Sequence, residues 1–233
     1  MRTDFAVIAV CFYRIMADKT KIQWTADGDS PGATWNPIIA VDKETGERGW
    51  FCTKPSAGCQ RCYAEAINMR LGNHLPYTVG NLERVDIRLN KNGRGQSALD
   101  WPLRAKRPRK IFVCSMTDLF GEFVPFELIR EVYNVMRQAK QHTFQVLTKR
   151  AERMLEFFGW LQDKEWDEAG ELFRSAANVW LGVSAENQET YDERLPFIQH
   201  EYLPTSVRFL SLEPLLGPIN VEDAFQEVDL GDE

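Results

Sequence analysis

Histidine is scarce in this sequence of 233 residues, which contains three. His74, His142 and His200 are scattered, with no H-x3-H or H-E-x-x-H spacing, so histidine-based metal chemistry has no footing and none is assigned a role. No Walker-type phosphate loop, G-x-G-x-x-G or G-x-S-x-G occurs, so nucleotide hydrolysis and serine chemistry lose support. No apolar run approaches the ~18 residues needed to span a bilayer. The stretch from Phe5 to Tyr13 (FAVIAVCFY) is short, and Arg14-Ile15-Met16 follows it where a signal peptide needs small residues. The chain is therefore expected to be cytoplasmic, with no membrane partner. Met16 opens a polar segment (MADKTKIQW), and residues 1–15 are expected to be an N-terminal extension with little role.

What is present has the balance of an ordinary globular protein, with 44% hydrophobic residues and 28 Lys+Arg against 34 Asp+Glu. Disordered and fibrous classes are excluded, and the length suits one α/β unit. The net charge of −6 hides an asymmetry: residues 1–150 carry 23 basic and 15 acidic side chains, residues 151–233 carry 5 and 19. The basic portion could face a polyanion. Its densest cluster is Arg104, Lys106, Arg107, Arg109 and Lys110, which fits either a solvated loop or a phosphate-contacting patch. No aromatics interleave it for stacking on bases.

Residues 22–62 are punctuated by glycine and proline and read as irregular. A helix is expected just after Cys62, because YAEAINMRL has good helix formers and no breaker before Gly72. Residues 73–109 read as a long polar loop. Four apolar, β-prone runs follow: Lys110–Ser115, Thr143–Leu147, Asn178–Val183 and Val207–Leu212. Segments of helical period lie between them, including Phe126–Lys140 and Ala151–Gln162. This alternation predicts an α/β fold with a parallel sheet, either open and doubly wound or a partial (β/α) barrel. Polar and charged residues recur at the carboxyl end of every predicted strand, which favours the barrel, where such ends share one mouth. The main unit is expected over residues 16–220, with an acidic tail over 221–233 that frays.

Three of the five cysteines, Cys52, Cys59 and Cys62, fall together as C-x6-C-x2-C, while Cys11 and Cys114 lie in apolar runs. An odd count without a secretory signal argues against a disulfide framework. Clustered thiols then suggest a metal. A structural zinc normally takes four protein ligands, and no fourth is obvious nearby, whereas three thiolates suit a four-iron cluster with one open iron. Both remain open on spacing alone.

The blocks Thr34-Trp35-Asn36-Pro37-Ile38, Cys52 to Glu65, Ser115-Met116-Thr117-Asp118-Leu119-Phe120, Leu147-Thr148-Lys149-Arg150, Val183-Ser184-Ala185-Glu186-Asn187 and Leu212-Glu213-Pro214-Leu215-Leu216-Gly217-Pro218-Ile219 resemble the successive motifs of a phage- and prophage-encoded three-cysteine protein family of unknown function. That family is similar to radical S-adenosylmethionine proteins, nearest to the spore photoproduct lyase branch. The resemblance implies a radical-SAM-type partial barrel in which Cys52, Cys59 and Cys62 hold a [4Fe-4S] cluster that binds S-adenosylmethionine. It also implies an electron donor such as flavodoxin or ferredoxin, and nucleic acid is a possible substrate. The spacing departs from the usual C-x3-C-x2-C, residues 41–51 look like an insertion, and the family continues beyond the last block, so the barrel reads as truncated at the C-terminus.

On this reading Asp118 holds the methionine amine or a ribose hydroxyl, although it also fits a helix-start carboxylate. Lys149 and Arg150 bind a carboxylate or an anionic substrate. Ser184, Glu186 and Asn187 suit ribose or substrate hydroxyls, with Ser184 alternatively capping the next helix. Glu213 is expected at the mouth, functional or ion-paired. Trp35 and Tyr63 either line the cluster pocket or simply pack. The competing expectation is a zinc-stapled, non-catalytic nucleic-acid-binding module.

Overall fold

The computed structural model describes residues 4–8, 25, 32–90, 98–164 and 176–225. Its centre is a six-stranded parallel sheet: β1 (Asp4–Ile8), β2 (Ala33–Trp35), β6 (Lys110–Val113), β7 (Thr143–Thr148), β8 (Val179–Ser184) and β9 (Val207–Ser211). The order across it is β1-β9-β8-β7-β6-β2. From β6 to β9 each strand lies beside the next in sequence, so the order never reverses as it would in a doubly wound sheet.

The crossovers are helices α3 (Phe126–Gln138), α4 (Ala151–Lys164) and α5 (Gln188–Gln199). Each has one apolar face, and Ile129, Val132, Met154, Phe157, Tyr191 and Ile198 pack with alternate strand residues such as Ile111, Val113, Phe144, Val146, Val179 and Leu181 in one core. The strand residues are in register (Ile111 beside Phe144 beside Val179) and point to one side of the sheet. All three helices therefore share that side, as repeated right-handed crossovers in one direction require. β1 and β2 are the two edges of this sheet, and no pairing joins them among the described residues.

Three features depart from the sequence reading. The segment 22–62 is not wholly irregular, nor is 73–109 a featureless loop: β3 (Ile38–Asp42), β4 (Arg48–Gly49) and β5 (Val85–Leu89) form a second, antiparallel sheet in the order β4-β3-β5. The apparent insertion at 41–51 is the β3–β4 hairpin arm, whose turn uses Gly46 at φ 75°. Arg84 grips Asp42 with Nε and Nη2 at 2.9 and 2.7 Å, and these hydrogen bonds hold the carboxyl far below its ordinary range. Second, Asp4–Ile8, placed in the extension by sequence, pairs in parallel with β9. Third, the tail begins with a 3-10 turn at Glu222–Phe225; its expected fraying falls on 226–233, outside the described residues, as do Cys11 and residues 9–24. Among the described residues no helix is long and apolar enough to cross a membrane.

Candidate functional site

Parallel strands deliver all their carboxyl ends to one edge, and the sequence loads that edge with polar residues. At the end of β6 the chain turns sharply at Cys114, a buried residue in left-handed backbone at φ 57°. For a residue with a Cβ this conformation costs on the order of 1 kcal/mol or more. Asn36, just after β2, secures the turn: its Oδ1 accepts from the Met116 amide at 3.0 Å and its Nδ2 donates to Ser115 Oγ at 3.2 Å. The Trp35 indole beside it donates to the Ala98 carbonyl at 2.7 Å and packs on Phe144, so it belongs to the core.

Across this edge lies the cysteine loop. It runs from Phe51 through a 3-10 turn at Ala57–Cys59 to Cys62, the N-cap of α1 (Tyr63–Leu71), the helix expected from sequence with the same bounds. Tyr63 is partly exposed, and its hydroxyl donates to the Ser115 carbonyl at 2.5 Å, tying the helix start to the β6 turn. Cys52, Cys59 and Cys62 are half-buried free thiols. Burial pushes the Cys52 thiol up to about 12, the Asp118 carboxylate adds to this and Arg150 opposes it. Burial likewise raises Cys62, against the amides of Glu65 and Ala64. Each of these two thiols also feels the charge of Cys59. Among the described residues, no three His, Cys, Asp or Glu side chains are arranged as a ready-made metal site. The donor set itself, three thiols on one loop with no carboxylate or imidazole among them, has the composition for an iron–sulfur cluster more than for a four-ligand zinc.

Two buried ionic clusters pin this loop to the strand ends. In the first, Asp118 is 8% exposed and accepts four hydrogen bonds: from Thr148 Oγ1 at 2.7 Å, the Lys149 amide at 3.1 Å, Arg150 Nη1 at 3.0 Å and the Phe120 amide at 3.0 Å. Arg150 continues outward, with Nε on Glu122 at 2.8 Å and Nη2 on both the carbonyl and hydroxyl oxygens of Thr53, next to Cys52. In the second, Glu186 is 1% exposed and accepts from Lys149 Nζ, from Arg194 Nη1 at 3.1 Å and from Ser56 Oγ at 2.8 Å. Burial pushes its pKa up, but Lys149, Ser56 and Arg194 more than reverse this and hold it below the ordinary value. Gly58 lies so close to Glu186 that a Cβ there would stand 2.5 Å from Glu186 Cγ.

Asp118, Lys149, Arg150 and Glu186 thus converge as the sequence reading expected, but their charges are engaged by one another and by the loop. Asn187 is elsewhere in function: its side chain accepts from the Thr190 amide at 3.0 Å as the N-cap of α5, so the cap considered for Ser184 is Asn187. Ser184 is buried at the end of β8, and its carbonyl accepts from Arg194 Nη1 at 2.7 Å. Neither its hydroxyl nor the Glu213 carboxylate has a hydrogen-bonding or ionic partner among the described residues, and burial raises the Glu213 pKa. Arg194, Thr53, Ser56 and Gly58 were missed. Arg194 had a readable signal, a cation between Tyr191, Leu195 and Ile198 on the buried face of α5.

The fold and site define a singly wound, mostly parallel α/β protein with a three-cysteine loop pinned across its carboxyl edge. Residues 19–230 match the family described as "Protein of unknown function (DUF5131)", and the chain belongs to that family. Neither a curated protein nor a solved structure matches the chain.

Proposed function

We propose that this protein is an iron–sulfur, S-adenosylmethionine-dependent radical enzyme of partial (β/α) barrel type, acting in the cytoplasm. The observation that carries the reading is the pinning of the cysteine loop: two buried ionic clusters, centred on Asp118 and Glu186, hold Thr53 and Ser56 between them. Buried charges are costly unless paired and hydrogen-bonded, and here the paired groups pin the loop that carries three thiols over the edge where such folds place their chemistry.

Cys52, Cys59 and Cys62 would hold the cluster, which with S-adenosylmethionine supplies one-electron cleavage of a carbon–sulfur bond and a carbon radical able to take hydrogen from substrate. Arg150 sets the position of Cys52 through Thr53, and Glu186 sets that of Cys59 through Ser56 and Gly58. These are positioning residues. Ser184 and Glu213, whose side-chain hydroxyl and carboxylate have no partner among the described residues, are candidates to touch a cofactor or substrate. Burial raises the Glu213 pKa, so its carboxyl is more readily protonated than an exposed one. An electron donor of flavodoxin or ferredoxin type is the partner this chemistry needs, and nucleic acid is the substrate class to try first.

Anaerobic purification with iron, sulfide and zinc analysis tests the reading, followed by electron paramagnetic resonance of the reduced protein with and without S-adenosylmethionine. Iron and sulfide near four each, with a spectrum altered by the cofactor, are expected for an open cluster. Colourless protein with one zinc would overturn it and leave the zinc-stapled module.

A further inference from the structure

Where the chain enters β6 and β7, the edge opposite the cysteine loop is basic. Segment 98–110 enters β6 there, and the 137–143 turn leads from α3 into β7 beside it. Gln141 Nε2 donates to the carbonyls of Pro102 and Ala105, each at 3.1 Å, and the Thr143 amide donates to the Arg109 carbonyl at 2.9 Å. These bonds join the two segments into one ridge. Its two segments carry Arg104, Lys106, Arg107, Arg109, Lys110, Arg137 and Lys140 and one carboxylate, Asp100, and Arg104, Arg109, Lys110 and Arg137 make further contacts of their own. Lys106, Arg107 and Lys140 are exposed and make no ion pair among the described residues.

We propose that this ridge docks the phosphate backbone of double-helical nucleic acid. It goes beyond the reading above, since it concerns the edge opposite the cysteine loop and needs neither iron nor S-adenosylmethionine. A row of closely spaced cations on a chain of net charge −6 is a local match for a polyanion, not a general attraction. The ridge has little with which to stack unpaired bases: the Trp101 ring lies against His142 at 6.3 Å and 4°, and the Trp180 ring lies beneath Lys110. Contacts to the backbone, not to bases, are what it can make. β7 has six residues, so the ridge stands about 20 Å from the cysteine edge, and a bound duplex leaves that edge open.

The test is fluorescence anisotropy of a labelled 20-base-pair DNA duplex with the full chain between 50 and 300 mM salt. The triple variant Lys106→Glu, Arg107→Glu, Lys140→Glu is compared with a second variant carrying Cys52→Ser, Cys59→Ser and Cys62→Ser. The ridge variant is expected to weaken binding about tenfold or more at low salt and to flatten the slope of log affinity against log salt by roughly 2.7, while circular dichroism stays unchanged. The cysteine variant is expected to bind like the parent, so failure of the iron–sulfur reading leaves this result intact. Absence of duplex binding at 50 mM salt would overturn the proposal. So would binding untouched by the ridge variant, tighter binding of the matching single strand, or vesicles of anionic lipid captured in preference to the duplex.

Discussion

Replacing Glu186 by Gln removes the charge at the centre of a buried triad while keeping its shape. Arg194, with a side chain 3% exposed, would keep the Ser184 carbonyl at 2.7 Å and a neutral amide oxygen, dipoles where a full charge had been. An uncompensated buried charge of this kind costs about 3–5 kcal/mol. The opposite perturbation, Arg194→Met, is milder: Glu186 retains Lys149 and Ser56, so the loss is that of one hydrogen bond to a charged group and one to the Ser184 carbonyl, roughly 2–4 kcal/mol. Lys149→Met is milder still, about 1 kcal/mol, because its side chain is 18% exposed and Glu186 keeps Arg194. The expected order is therefore Glu186→Gln, then Arg194→Met, then Lys149→Met. The double variant Glu186→Leu, Arg194→Met, which removes both charges, should lose less than Glu186→Gln alone. Urea unfolding followed by tryptophan fluorescence gives the four values, and the rate of thiol labelling at Cys59 reports the loop. Equal losses across the single variants, or a double variant worse than Glu186→Gln, would refute the claim that this triad is a coupled buried charge system.

Gly58→Ala places a Cβ 2.7 Å from Glu186 Oε1, so the loop must shift; a loss of about 1–3 kcal/mol and faster labelling of Cys59 are expected in the same assays. His142 is buried, with Nε2 3.0 Å from the Pro102 carbonyl and Nδ1 without a hydrogen-bond partner among the described residues, and burial lowers its pKa below 6.5. The unfolded chain therefore takes up a proton first as pH falls, and stability should drop by up to about 1.4 kcal/mol per pH unit below 6.5, a slope that His142→Phe abolishes in pH-dependent unfolding. Glu213 has the opposite sign: its raised pKa means that the ionised form disfavours the fold above pH 4.5, so Glu213→Gln should raise the unfolding midpoint at pH 7 and leave it unchanged at pH 4. Phe157→Ala, at a fully buried position between α3 and α4, should cost about 3–5 kcal/mol in urea unfolding, and a loss below 1 kcal/mol would contradict the packing described for that core.

The parallel sheet was legible because its strands are buried and packed, which leaves runs such as VWLGVS with little but apolar residues. α1 was legible from local chemistry alone, with helix formers between Cys62 and Gly72. The antiparallel sheet was not, because β3 and β5 are five residues each and pair across more than forty positions, a partnership that no local pattern announces. The site followed the same division. Residue types at strand ends showed where Asp118, Lys149, Arg150 and Glu186 would gather, but not that each would be engaged by a neighbour or by the loop. From residue types alone the cap reads at Ser184 and Asn187 reads only as a ligand; the signal that places the cap at Asn187 is Thr190 three positions later, which completes its capping box.

The bonds that seat the cysteine loop span 97 residues between Thr53 and Arg150 and 130 between Ser56 and Glu186. During synthesis from the N-terminus, the thiols leave the ribosome long before their anchors exist, and closing such long stretches is slow compared with forming a helix or a hairpin. Assembly thus has a built-in chronology: the early thiols stay unguarded until the later strands arrive, and any maturation machinery that loads them meets an accessible segment first and a sealed one afterwards.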